Sequence, residues 1–81
     1  MPQACKAEFL VEPFEEGQPG PHVIAAIDAV SALGFEPVIG PFGTTISGSS
    51  ETIMTAVKDL LDAAMEAGAS RVSIQVSTCD A

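Results

Sequence analysis

From Cys5 to Glu12 the chain alternates: Ala7, Phe9 and Val11 fall on one side of an extended backbone, Glu8, Leu10 and Glu12 on the other. Pro13 ends that strand. The stretch Pro13–Pro21, with three prolines and two glycines, reads as a loop. From Pro21 or His22 to Leu33 the period changes. Val23, Ile27, Val30 and Leu33 recur at helical spacing and give one apolar stripe, and Gly34 follows as the terminating residue. Phe35–Ile39 reads as a short strand with Phe35, Pro37 and Ile39 on one face. Pro37 donates no ladder hydrogen bond, so this strand is predicted at a sheet edge.

The second half repeats the layout. Gly40-Pro41-Phe42-Gly43 is a turn, and Thr44–Ser47 is the returning strand of a hairpin. Ser49 or Ser50 caps a second helix, with Glu51 at its positive end and Ile53, Val57, Leu60 and Ala64 as its buried stripe. Gly68 ends it. Arg71–Thr78 alternates again, with Val72, Ile74 and Val76 inward and Arg71, Ser73, Gln75 and Ser77 outward. The order is β-α-β-β-α-β in one domain spanning residues 1–81. The physical solution is an α+β, ferredoxin-like, four-stranded antiparallel sheet of order 4-1-3-2 with both helices on one face.

Such a sheet leaves one face without a helical cover. Glu8, Leu10, Glu12, Val38, Thr45, Ser47, Ser73, Gln75 and Ser77 are expected there. A face of hydroxyls, an amide, two carboxylates and two aliphatics suits a subunit interface or the floor of a ligand site.

Composition narrows the partners. Three Lys and Arg stand against 11 Asp and Glu, a formal net charge of −8. Nucleic acid and anionic membrane surfaces are poor partners, because both need clustered cations. The mean hydropathy of +0.36 is high for so small a chain and is consistent with surface covered by other subunits. The first 13 residues lack the apolar core of a signal peptide and no apolar run approaches a membrane span, so a cytoplasmic protein is expected.

Chemistry-bearing residues are sparse. His22 is the single histidine and stands where a helix begins, with no nucleophile assigned to it by spacing. One His, two distant cysteines (Cys5 and Cys79) and scattered carboxylates give no metal-ligand spacing, and neither a metal nor a cofactor is expected. Cys5 and Cys79 fall on neighbouring strand ends and are read as two unpaired thiols. Gly40-Pro41-Phe42-Gly43-Thr44-Thr45 is the most distinctive stretch: glycines permit close approach, threonines offer hydroxyls and Phe42 a stacking surface. A plain hairpin turn explains the same residues.

The run Ala7-Glu8-Phe9, Pro13 ending its strand, Gly40-Pro41-x-Gly43-Thr44, Ile46-x-Gly48 and Glu66-Ala67-Gly68-Ala69-x-Arg71-Val72 resembles the thiamine-binding (YkoF-like) family of small proteins. The resemblance runs over roughly residues 6 to 78. It implies the same fold, homodimers or homotetramers built through the sheets, and non-catalytic binding of thiamine or its hydroxymethylpyrimidine moiety. The ligand-binding set it suggests, joined to the open-face residues, is Glu8, Leu10, Phe42, Gly43, Thr44, Thr45 and Ser47. Two positions depart from the family pattern: Val38 and Ser47 stand where many relatives carry glutamate. The alternative is an oligomerisation module, structural or regulatory, with no small ligand.

Overall fold

The computed structural model describes residues 4–13, 20–40 and 43–78. Six elements follow one another: β1 (Ala4–Glu12), α1 (Pro21–Ala32), β2 (Val38–Ile39), β3 (Thr44–Ser49), α2 (Ser50–Glu66) and β4 (Arg71–Thr78). The sheet order is β2-β3-β1-β4, the 4-1-3-2 arrangement read from the other edge, and every pairing is antiparallel. The α+β ferredoxin-like fold follows from the alternation of its strands and helices.

Period two divides β1 cleanly. Cys5, Ala7, Phe9 and Val11 are buried, while Lys6 and Glu8 are exposed. The buried set meets Ile46 and Thr44 of β3, Ala26 and Val30 of α1, and Ile53, Ala56, Leu60 and Ala64 of α2 to form the core. Burying a Leu or Ile side chain of this kind stabilises the fold by about 1.5–3 kcal/mol.

Both helices end alike. After α1 the Phe35 amide donates to the Val30 carbonyl at 3.2 Å and the Gly34 amide to Ser31 at 3.0 Å. After α2 the Ala69 amide donates to Ala64 at 3.0 Å and the Gly68 amide to Met65 at 3.2 Å. These are paired Schellman closures, and each turns on a left-handed glycine, Gly34 at φ 95° and Gly68 at φ 103°. The sequence-level repeat of the two halves is therefore also a repeat of their helix ends. Ser49 caps α2, its hydroxyl accepting from the Thr52 amide at 3.3 Å.

Several sequence expectations shift. The buried stripe of α1 runs through Ala26 and Val30, with Val23 packed against the core and Ile27 half-buried. Leu33 is 43% exposed, because it is the C-cap residue and the chain leaves the helix there. In α2 Ala56 is fully buried and Val57 only partly so. The strand expected over Phe35–Ile39 pairs only at Val38 and Ile39, since Pro37 has no amide to offer. Strand β3 runs on to Ser49 rather than ending at Ser47. On β4, Val72 and Ile74 pack against the core but Val76 is 41% exposed.

Among the described residues no helix is long and apolar enough to cross a membrane. Cys5 is a free, buried cysteine; Cys79 lies outside the described residues, so the pairing of the two is not addressed.

Candidate ligand-binding face

The antiparallel ladders place open-face residues in rows across the sheet. Glu8 of β1 stands opposite Thr45 of β3 and opposite Gln75 of β4, and Val38 of β2 stands opposite Thr45. One row therefore reads Val38–Thr45–Glu8–Gln75. The next row along β1 is Ser47–Lys6–Ser77, and on the other side Leu10 faces Ser73. Opposite residues on one face have their Cβ atoms about 4.5–5.5 Å apart, so neighbours within a row reach one ligand together.

Glu8, Leu10, Ser73 and Gln75 line an open depression of about 250 Å³ between β1 and β4. Its walls join a carboxylate, an amide, a hydroxyl and an aliphatic side chain. That set can hold a flat heteroaromatic group: the aliphatic covers a ring face, the amide and hydroxyl meet ring-edge donors and acceptors, and the carboxylate faces a positive charge.

The two open-face carboxylates differ in their surroundings. Glu12 lies 3.9 Å from the Arg71 guanidinium. Glu8 makes no ion pair among the described residues. The end of β1 is tied down beside Glu12, whose carbonyl accepts from the Ser70 amide at 2.8 Å and the Ser70 hydroxyl at 3.1 Å. His22 touches the same corner, its Nε2 lying 2.5 Å from the Pro13 carbonyl oxygen. The single histidine thus ties the first turn of α1 to the residue that follows β1, away from the depression.

The seven residues expected to bind ligand separate into groups. Glu8, Leu10, Thr45 and Ser47 lie on the open face. Thr44 does not: it stands opposite Phe9 on the helix side and is 6% exposed. Consecutive strand residues face opposite ways, so Thr44 and Thr45 cannot both present hydroxyls to one ligand. Gly43 is fixed by packing, since a Cβ there would stand 2.9 Å from the Phe9 carbonyl oxygen. Its own carbonyl accepts from the Gly40 amide at 2.8 Å and closes the hairpin. Phe42 lies outside the described residues. Ser73 and Gln75, absent from the expected binding set, join it by lining the depression. Alternation along β4 gave their face; only the register gives their proximity to Glu8 and Leu10.

Charge is unevenly spread. Of the three Lys and Arg residues, Lys6 and Arg71 lie on the open face, where the acids are Glu8 and Glu12. Lys58 pairs with Asp62 on α2 at 3.5 Å. The open face is locally balanced, while Asp28, Glu51, Asp59, Asp62 and Glu66 ride on the helices. Among the described residues no three His, Cys, Asp or Glu side chains group as metal ligands would.

Comparison with known proteins places this sheet. The family model described as thiamine-binding protein matches residues 7–80. The chain belongs to the thiamine-binding protein family. A solved structure from Thermotoga maritima, described as a candidate thiamine biosynthesis/salvage protein, is 28% identical with a TM-score of 0.67, and the match covers 93% of this chain and 81% of that one. A protein from Streptococcus pneumoniae is 29% identical with a TM-score of 0.58, covering 98% of this chain and 87% of that one. A hypothetical protein from Methanocaldococcus jannaschii shares the fold at 18% identity and a TM-score of 0.70, covering 98% of this chain and 81% of that one. No curated protein sequence matches the chain. Family and neighbours support a thiamine-related role.

Proposed function

We propose that this member of the thiamine-binding protein family binds thiamine, or its hydroxymethylpyrimidine moiety, on the open sheet face and performs no chemistry on it. The observation that carries the reading is Glu8, an exposed carboxylate without an ion-pair partner among the described residues, set beside Leu10, Ser73 and Gln75 in one depression. A thiazolium ring is a permanent cation and an aminopyrimidine edge offers donors and acceptors side by side. Glu8 answers the first, Gln75 and Thr45 the second, and Leu10 supplies apolar contact. Charged hydrogen bonds of this kind contribute about 1.5–3 kcal/mol each. The role is carriage, buffering or sensing of the vitamin in the cytoplasm.

Calorimetric titration with thiamine, then with hydroxymethylpyrimidine, tests the reading. A stoichiometric site of micromolar affinity, about −8 kcal/mol, is the expected result. No heat and no thermal stabilisation by either compound at millimolar concentration would overturn it.

A second reading has its own support: the locally balanced charge of the open face. On a chain of net charge −8, two helix faces repel each other, whereas Lys6 and Arg71 of one copy complement Glu8 and Glu12 of another. In this reading the sheets of two or four copies pack together. A ligand-free monomer in sedimentation at micromolar concentration would count against it.

A further inference from the structure

We propose that the Ser47–Lys6–Ser77 row is an anion subsite that accepts a phosphate monoester carried by the same ligand whose cation stands over Glu8; it rests on the thiamine-binding reading. Lys6 is exposed on the open face, directly between the hydroxyl residues Ser47 of β3 and Ser77 of β4. Among the described residues it makes no ion pair, whereas Lys58 and Arg71 each have an acidic partner. A lysine with a hydroxyl residue opposite it on each neighbouring strand offers donors from one row to phosphate oxygens, with the lysine as the point charge.

The spacing selects an ester over a free ion. Lys6 and Glu8 are two residues apart on one strand face, which sets their Cα atoms about 6.7 Å apart. The hydroxyethyl arm of thiamine is three bonds long from ring carbon to oxygen, and a phosphorus esterified to that oxygen, one bond further, comes to a comparable distance from the centre of the charged ring. A phosphate on that oxygen reaches Lys6 while the ring lies over Glu8. The pairing is zwitterionic on both sides, ring cation to carboxylate and phosphate to ammonium. A free phosphate lacks the first contact and meets a chain of net charge −8. Thiamine lacks the second contact. The two rows therefore favour thiamine monophosphate over either fragment, and Lys6 sets that preference.

The test is calorimetry at low and at physiological salt with thiamine, thiamine monophosphate and inorganic phosphate on the full chain, on Lys6→Gln and on Lys6→Arg. Wild type is expected to bind thiamine monophosphate about tenfold more tightly than thiamine, one charge-assisted contact's worth. The preference should shrink with salt, vanish in Lys6→Gln while thiamine still binds, and persist in Lys6→Arg. Circular dichroism and sedimentation on each variant show that fold and assembly are unchanged. Equal affinity for thiamine and its monophosphate, or a preference that survives Lys6→Gln, overturns the subsite and leaves the thiamine reading standing. Inorganic phosphate binding as tightly as the ester also overturns it, in favour of a free-anion site. If neither thiamine nor its monophosphate binds, both the subsite and the reading beneath it fall.

Discussion

Glu8 and Gln75 stand opposite each other across the β1–β4 ladder, both exposed and both lining a depression on the open face. A carboxylate that only accepts and an amide that both donates and accepts are thereby held one interstrand spacing apart, on the two strands of the sheet's longest ladder. Neither residue belongs to the hairpin that marks the family in sequence. The depression lies between the inner strand β1 and the edge strand β4, on the side of β1 away from the hairpin.

Replacing Glu8 with glutamine keeps the shape and removes the charge. The exchange should weaken thiamine binding by at least about tenfold, the lower end of a charged hydrogen bond's worth, and affect neutral hydroxymethylpyrimidine less. Thermal stability should hardly move, because Glu8 is exposed and makes no ion pair among the described residues. Titration of both compounds on the variant checks it. Equal weakening of the two would show that Glu8 does not read the cation.

Gly43 separates a structural role from a binding one. A Cβ at this position would sit 2.9 Å from the Phe9 carbonyl oxygen, backbone that belongs to the central strand and cannot swing aside. Gly43→Ala should cost about 1–3 kcal/mol through forced backbone displacement. For a domain of this size each kcal/mol lowers Tm by about 4–8 °C. A thermal melt reads the effect directly, and an unchanged Tm would mean that the hairpin relaxes freely. The glycine of the family motif is thus accounted for before any ligand is considered.

Strand and helix order was legible because the apolar period switches cleanly. On β4 the alternation Val72-Ser73-Ile74-Gln75-Val76 is uninterrupted, and its observed limits match those read from sequence. On α1 the large aliphatics Ile27 and Leu33 drew the stripe toward themselves, yet fully buried Ala26 marks the face that packs against the core. Small residues at a tight helix contact carry little hydropathy signal. The candidate site was half legible. Glu8, Leu10, Thr45 and Ser47 follow from parity alone, but the motif joined Thr44 to Thr45, and a pleated strand sends one of any adjacent pair into the core. Gln75 needed the cross-strand register, which no local pattern encodes.

Ser49 gives a control that leaves the sheet face alone. Its hydroxyl caps the Thr52 amide at 3.3 Å and lies 3.0 Å from the Thr52 hydroxyl, which in turn donates to the Ser49 carbonyl. Ser49→Ala should cost about 1 kcal/mol in urea unfolding. Thiamine affinity, measured on the folded variant, should stay at the wild-type value. A large affinity loss would place the start of α2 in the binding site and count against binding on the open face.

Val38 offers the sharpest gain-of-function test. It is 67% exposed on the edge strand, so a charged side chain there removes no core contact. The row places it opposite Thr45, two strands from Glu8 and hence about 10 Å away. Two carboxylates at that distance in water repel by only about 0.4 kcal/mol. A cationic ring over the Thr45 side of Glu8 lies between them and is attracted by both. Val38→Glu should therefore tighten thiamine by several-fold at low salt, leave uncharged hydroxymethylpyrimidine unchanged, and lose the gain as salt rises through the range where the screening length falls below about 10 Å. Parallel titrations of the two ligands at two salt concentrations provide the measurement. Tightening confined to thiamine places the cation over the β1–β3 half of the row. If neither ligand responds, the ring lies toward Gln75 and β4, beyond the reach of the edge strand.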